Sequence, residues 1–577
     1  AVVLVDVVLV GSRHILVMLG EGDGTFNRQE QAMYEGLPSD SSGDFLLSDL
    51  DADGDPDLLS ISSSELFVTL NNAVEAGVDP NAPPAGARSY TYDETFNQLT
   101  SMTDEIGRQT FYEIDSNGNR IEMTQVVGER DSAGNGETDD VTTLYSYTEH
   151  GQLDIETDAL GRQTDYDYDA FGRLEFVTYA KDTDDETVWQ YVYDVAGNQT
   201  AMIDPNGYRT EYVFDELNRV ESVTYAKGTD EEATEYFVYD DAGNQIAVID
   251  ANGNLTETVY DEMNRAIQTT AMDPDTATVY GYDTVNKTYQ VIASDPNAEG
   301  PLTSPLTQQT YDNAGRLIAT TDAIGRQTQY VYDARGRLTA TILPDGTEQQ
   351  TQYDFDNNPV GRTDARGETT RSLYDARGRL TAQVDENGDR TNFFYDAANQ
   401  MIAMVDANQV RTEYTYDELG RRTSVTTAAG TTAAITTKTE YDAVGNVIAQ
   451  IDGLGQRTEM EYDNLDRLVL TRDAATPAGE TLYTYDDMGN LLTLKDAVDN
   501  TTTFTYDERY RLETETNQFS QTRSHDYDAI GNRIETTDRN GRTRTFGYDN
   551  LNRQTQETWL DAQGNEVRTT NRTYAAA

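Results

Sequence analysis

The chain has 577 residues, no cysteine, and 42 basic against 103 acidic side chains, a formal net charge of −61. A surface this acidic repels nucleic acid and anionic lipid, and the lack of thiols excludes disulfides, thiolate metal sites and cysteine nucleophiles. No apolar run approaches the roughly 20 residues that a spanning helix needs, so membrane insertion is not expected either. Lysine occurs only at Lys181, Lys227, Lys287, Lys438 and Lys495. Acidic, lysine-poor chains keep soluble at high ionic strength, and the composition fits a marine or halophilic source. The 37 tyrosines argue for order, because each ring can be buried while its hydroxyl stays hydrogen-bonded.

The opening AVVLVDVVLVG is interrupted by Asp6, ended by Gly11 and lacks a basic leader, so it reads as a buried strand and not a signal peptide. Gly22-Asp23-Gly24-Thr25-Phe26 follows, and then SDLDADGDPDLLSI from Ser48. Asp49, Asp51, Asp53 and Asp57 alternate along this stretch, and Gly54 permits a sharp bend. Ca²⁺ takes about six to eight oxygen ligands, which such carboxylates supply together with a backbone carbonyl near Asp55. Ca²⁺ is therefore expected at Asp49, Asp51, Asp53, Asp55 and Asp57. These strings resemble the FG-GAP or VCBS repeats of integrin-like β-propellers. The resemblance implies that residues 1–75 are a partial propeller blade. Residues 76–89, with three prolines and no apolar periodicity, read as the linker that follows.

From residue 90 a different order prevails. Tyr-Asp pairs begin at Tyr311, Tyr332, Tyr353, Tyr374, Tyr395 and Tyr416, every 21 residues, and continue at Tyr441, Tyr462, Tyr485, Tyr506, Tyr527 and Tyr548. Earlier ones stand at Tyr168, Tyr193, Tyr239 and Tyr260, with Phe214-Asp215 filling one beat. A fixed period means stacked repeats, none of which buries its apolar face alone. Within DAIGRQTQYVYDARGRLTATIL, from Asp322, two extended segments flank Asp333-Ala334-Arg335-Gly336. Asp first and Gly fourth is the preference of a type I turn followed by a residue at positive φ, and the Asp carboxylate can accept from backbone N–H groups just ahead of it. Similar turns recur at Asp364, Asp375 and Asp385, and at Asp396 with Asn399 in the Gly position. The alternation predicts Tyr330, Tyr332, Leu338, Ala340 and Ile342 on one face, with Thr339 and Thr341 on the other. No helical stripe is visible. The fold expected for residues 90–577 is all-β, built from antiparallel hairpin repeats of about 21 residues.

Strings such as YDARGRLTATILPDG, YDARGRLTAQVDENG and YDAIGNRIETTDRNGRTRTFGYD resemble the YD repeats of the Rhs family, over residues 90 to 574. That family includes bacterial Rhs proteins, the cocoon-forming subunits of Tc toxins, and teneurins. The resemblance implies a sheet spiralling into a hollow shell or tube, which in the first two groups encloses a toxic C-terminal domain. The proline-rich DPxGL-type segment that normally ends an Rhs core is not found. Both ends, Ala1 and Ala575-Ala576-Ala577, read as cuts through a longer polypeptide.

Three histidines, His14, His150 and His525, are scattered in an expected strand, turn and strand, and no phosphate-binding loop opens a helix. Catalysis is not expected. The function expected is a secreted or cell-surface scaffold whose shell encapsulates a C-terminal cargo lying beyond residue 577. The alternative is an extracellular structural or adhesion protein, a rod, tube or appendage with self-assembly or cell-surface partners. For the metal, calorimetry should show Ca²⁺ binding that Asp51→Ala weakens or abolishes. Chelation should loosen residues 1–75 and leave the repeats intact. Undiminished binding by Asp51→Ala would reduce the stretch to an acidic turn.

Overall fold

Period-2 patterning between closely spaced Asp-x-x-Gly turns is satisfied by strands, and strands are what form. The structure, a computed structural model, describes residues 4–9, 15–20, 45–48, 57–62, 65–69, 88–128, 139–271, 279–283, 288–293, 306–322, 324–475, 477–549 and 551–574. No helix occurs among the described residues. Two compact units are present, one of Ala1–Gly86, Glu348–Tyr414 and Thr427–Ala434, the other of Ala87–Thr347, Thr415–Thr426 and Ile435–Ala577.

Near the N-terminus, Leu4–Leu9 pairs with Ile15–Gly20, and Phe45–Ser48, Asp57–Ser62 and Glu65–Thr69 form a three-stranded antiparallel sheet. The opening apolar run is thus a strand, as its pattern requires. Asp57 begins its strand opposite Ser48. Asp49, Asp51, Asp53 and Asp55 lie outside the described residues.

Among the described residues the repeats supply 41 antiparallel strands that follow one another in chain order in one sheet. Ser89–Tyr92 pairs with Leu99–Thr103, and at the far end Gln554–Leu560 pairs with Glu566–Asn571. Among the described residues no register joins the first of these strands to the last, and the sheet is open. One hairpin, Val279–Asp283 with Thr288–Ala293, stands apart from the sheet, while its neighbours Ala266–Ala271 and Leu306–Tyr311 pair directly.

Each hairpin closes as its turn residues dictate. The Gly336 N–H donates to the Asp333 carbonyl at 3.0 Å, and the Asp333 N–H donates to the Arg337 carbonyl at 3.0 Å. Gly336 has φ +83°, and Asn399, in the equivalent place, +69°. The register then slips between Val331 and Tyr332. This bulge overturns the expected grouping of side chains. Tyr330 stands opposite Thr341, Val331 opposite Ala340, Gln329 opposite Ile342 and Tyr332 opposite Leu338. Cross-strand partners share a face, so Tyr330 lies with Thr341 and not with Ala340 and Ile342. The extra residue of the bulge, Thr339, inverts the faces beyond it.

The slip also fixes where the repeat is tight. Ala201, Ala247, Ala382, Ala403 and Ala449 are all at most 2% exposed, each eight residues after its Tyr or the equivalent aromatic. Longer residues flank each one, such as Phe394 and Glu413 about Ala403. Gly361 occupies the same place, and a Cβ there would come 3.0 Å from Gln352 Oε1. A small side chain is required because its neighbours' stems lean over it. A cluster of Val238, Ala247, Ile249 and Leu255 makes a local core, with Tyr236 and Ile246 packed against it.

Gly336→Ala should destabilise its hairpin by about 1–2 kcal/mol, the cost of a Cβ in the left-handed region, and Gly336→Asn by less. Hydrogen exchange of the amides in Gln327–Ile342 checks this, with equal protection in both variants as the contrary result.

Candidate functional site

The Asp after each Tyr organises its turn, and the residue four places on organises the next. Asp375 Oδ1 accepts from the backbone N–H of Arg377 and of Arg379, both at 2.9 Å. Its Oδ2 accepts from Arg379 Nε at 2.6 Å. The same guanidinium reaches forward a full repeat. Arg379 Nη1 donates to the Asp396 carbonyl at 2.9 Å, and the group lies over the Tyr395 ring at 5.1 Å. Tyr395 in turn donates its hydroxyl to the Leu380 carbonyl at 3.0 Å. One arginine thus holds its own turn, the next turn's backbone and the next ring, by charge-assisted bonds and a cation–π contact.

Arg173, Arg219, Arg265, Arg316, Arg421, Arg467 and Arg511 repeat both links, to the next Asp carbonyl and over the next Tyr ring. Between several of them stands an Asn. Asn198 Nδ2 donates to Asp194 Oδ2 and to Asn218 Oδ1, each at 2.9 Å, and Asn244 and Asn532 do the same with Asn264 and Asn552. The sequence carried this signal as an Arg or Asn four residues after the Asp of most Tyr-Asp turns, the two alternating at Arg173, Asn198, Arg219 and Asn244 and again at Arg467, Asn490, Arg511 and Asn532. Attention to the Asp and Gly alone missed it.

Bonds of this kind pull several turn carboxyls, among them Asp169, Asp261, Asp312 and Asp333, below the ordinary value of 3.8. For Asp333 and Asp312 the largest pull is the backbone N–H of Arg337 or Arg316, and for Asp261 it is the Arg265 side chain. Burial pushes the Tyr395 hydroxyl up.

In the larger unit, a second set of contacts joins residues far apart in the chain. Asn206 Nδ2 donates to Asp486 Oδ2 at 3.1 Å and Asn252 Nδ2 to Asp528 Oδ2 at 3.0 Å. Asn464 Nδ2 donates to Asp185 at 2.8 Å, Arg162 Nη1 to Asp466 at 2.7 Å, and Arg511 to Glu231. Tyr510 donates to the buried Asp204, and its ring meets Tyr208 edge-on at 5.7 Å. Burial, and then the Asp204 carboxylate, push the Tyr510 hydroxyl well above its usual range. Chain separations run from 276 to 306 residues. The sheet therefore returns upon itself, and the turns opposite the Tyr-Asp rim of one pass rest on the Tyr-Asp rim of another. This seam is the most elaborated feature of the described surface.

Of the histidines, His150 is exposed beside Glu149. His525 is buried in a strand, bonded to Thr536 at 2.9 Å, and burial lowers its pKa. His14 lies outside the described residues. Among the described residues no cluster of acidic or histidine side chains could hold a metal ion, and no helix is long and apolar enough to cross a membrane.

The model of the RHS repeat matches residues 147–187, 193–230, 311–348, 353–391, 374–411, 395–432, 441–481 and 527–558. This is an RHS-repeat protein. A model of the FG-GAP-like repeat matches residues 4–60 of the RHS-repeat chain. No curated protein sequence matches it. Among solved structures, a crystal structure of TcdB2-TccC3 is similar at 15% identity and TM-score 0.62, over 84% of this chain and 32% of that one. The Tc holotoxin pore of Photorhabdus luminescens, with a TccC3 variant, is similar at 16% identity and TM-score 0.52, over 92% of this chain and 30% of that one. At such identities the likeness is one of fold. The RHS-repeat chain spans about a third of the length of these relatives.

Arg379→Ala should destabilise its two hairpins by roughly 2–3 kcal/mol, and Tyr395→Phe by about 1 kcal/mol. Arg379→Lys should recover less than half of the first loss, because an ammonium cannot bond in two directions while lying over a ring. Local hydrogen exchange separates the three. The depressed turn carboxyls give a pH dependence of definite sign. Their stabilisation is complete above the unfolded value of about 3.9 and is lost as pH falls through the lower folded values. Relief of self-repulsion acts oppositely at higher pH. Thermal melts should therefore hold or rise from neutral pH to about 5 and collapse below about 4. A steady decline from neutral pH would contradict this.

Proposed function

We propose that this chain is a section of a secreted, non-enzymatic RHS-repeat shell enclosing a C-terminal polypeptide encoded beyond it. The observation that carries the reading is the seam, where Asn206, Glu231 and Asn252 bind Asp486, Arg511 and Asp528. Resting one rim of a pass on a rim of another joins the two into a wall of hydrogen-bonded backbone, which suits containment more than catalysis. Support comes also from the fold shared with TcdB2-TccC3. The FG-GAP-like repeat, with Ca²⁺ on Asp49, Asp51, Asp53, Asp55 and Asp57, serves in this reading as a structural module at one end.

Limited proteolysis of the full gene product tests the proposal. Sequence following the repeats should resist protease while the seam is intact, and become cleavable when Asn206→Ala, Asn252→Ala and Arg511→Ala are combined. Digestion of that sequence at the rate of a free tail in the parent protein would refute encapsulation and favour an extracellular structural or adhesive role.

A further inference from the structure

Three side-chain amides hold acids across the seam, and two of them are followed by glycine. Asn206 Nδ2 donates to Asp486 Oδ2 at 3.1 Å, Asn252 Nδ2 to Asp528 Oδ2 at 3.0 Å, and Asn464 Nδ2 to Asp185 Oδ2 at 2.8 Å. Gly207 comes after the first, Gly253 after the second and Leu465 after the third. An asparagine before glycine is open to attack on its own side chain, because no Cβ crowds the glycine nitrogen and the backbone there turns freely. Before leucine, a branched side chain obstructs the same attack.

The same turn occurs elsewhere in the chain with a different side-chain environment. Asp-x-Asn-Gly is found again at Asn117, Asn387 and Asn540. In all five turns the Gly N–H donates to the Asp carbonyl at 2.9 to 3.2 Å, and the Gly φ lies between +73° and +91°. The five backbones are therefore alike, and the acid held by the amide is what distinguishes Asn206 and Asn252. These two are half-buried, whereas Asn117, Asn387 and Asn540 are exposed.

We propose that Asn206 and Asn252 are sites of spontaneous deamidation gated by the seam, and that their conversion leaves the seam unable to close. While Nδ2 is held by an acid, the side-chain carbonyl cannot swing onto the Gly nitrogen, and each local opening of the seam frees it. The Gly207 nitrogen, losing its proton, then bonds to Asn206 Cγ, and Nδ2 takes up a proton and leaves as ammonia. Water opens the resulting succinimide. Cleavage at Cγ gives aspartate, and cleavage at the main-chain carbonyl carbon gives isoaspartate. One water is consumed, one ammonia is released, and nothing is oxidised or reduced. Either product sets a second carboxylate against Asp486, which already accepts from Asn490 Nδ2 at 2.9 Å. Two carboxylates that close resist joint ionisation, and the donor between them is gone. Isoaspartate also lengthens the main chain within the turn, where the Tyr208 N–H donates to Asp204 Oδ1 at 2.9 Å. Asp204 is in turn the acceptor of Tyr510 across the seam. Asn252 stands likewise against Asp528, which Asn532 bonds at 2.9 Å. The chemistry depends on the seam alone, whatever the wall encloses.

Peptide mass spectrometry of the full gene product, kept in mildly alkaline buffer, follows each site. Asn206 and Asn252 should convert more slowly than Asn117, and Asn464, in the same seam, should stay intact. Arg511→Ala removes the bond to Glu231, which lies between the two sites in the chain. It should speed both conversions by about tenfold, the effect of one charge-assisted bond on an opening equilibrium, and leave the rate at Asn117 unchanged. The double variant Asn206→Asp, Asn252→Asp should reproduce the aged protein, with fast amide exchange at Asp204–Tyr208 and Asp486–Asn490 and the parent's circular dichroism. Asn206 and Asn252 still intact in the Arg511→Ala protein after Asn117 has converted, equal rates in that variant and the parent, or parent-like amide exchange in the double variant would each overturn the proposal.

Discussion

The arginine that bonds its own turn and covers the next tyrosine is the interaction on which the repeat depends. A hairpin alone is marginal in water, and the half-buried faces here offer few large apolar contacts. Arg379 ties Asp375, the Asp396 carbonyl and the Tyr395 ring together, so one turn's geometry fixes the position of the next. Where Asn198 replaces arginine, the side-chain bridge to Asn218 preserves the connection at shorter reach. Stability propagates along the sheet by nearest-neighbour links, as expected of a linear repeat.

Such a chain resolves an apparent conflict in its composition. It is very acidic, yet many of its aspartates are not a liability, because the fold consumes them as turn acceptors. Asp169 and Asp312 each take two backbone N–H groups and an arginine. Solvation lost at the carboxylate is replaced by directed donors, and this lowers the pKa instead of raising it. The remaining acids, on the strands and at other turn positions such as Glu216, Asp241 and Glu262, add to the charge of the chain.

The strands and turns were legible in the sequence because the Tyr-Asp period, the Asp at the first turn position and the Gly at the fourth are each local rules. The facing of the strands was not. Alternation correctly separated Val331 from Tyr330 and Tyr332, but relating one strand to the next needs the register, and a bulge at Tyr332 changes it by one residue. Arg379 was visible as a residue and not as a clamp, since its partners Asp396 and Tyr395 belong to another repeat. The seam was beyond reach for the same reason on a larger scale. Nothing near Asn206 in the chain indicates that Asp486 is its partner.

The alternation along the seam has a consequence for how such a protein can change. Turns of the Arg kind face acids, Arg467 beside Asp185 and Arg511 beside Glu231. Turns of the Asn kind face amides, Asp486 beside Asn206 and Asp528 beside Asn252. Opposite them, the loop at Ala180 returns at Ala226 two repeats later, with the same left-handed alanine. The two rims therefore mesh like gears with a tooth spacing of two repeats. Gain or loss of a single repeat would bring arginine against asparagine and strand an acid all along the seam, whereas a pair would keep the mesh. Lineages of this protein should differ in length by even numbers of repeats.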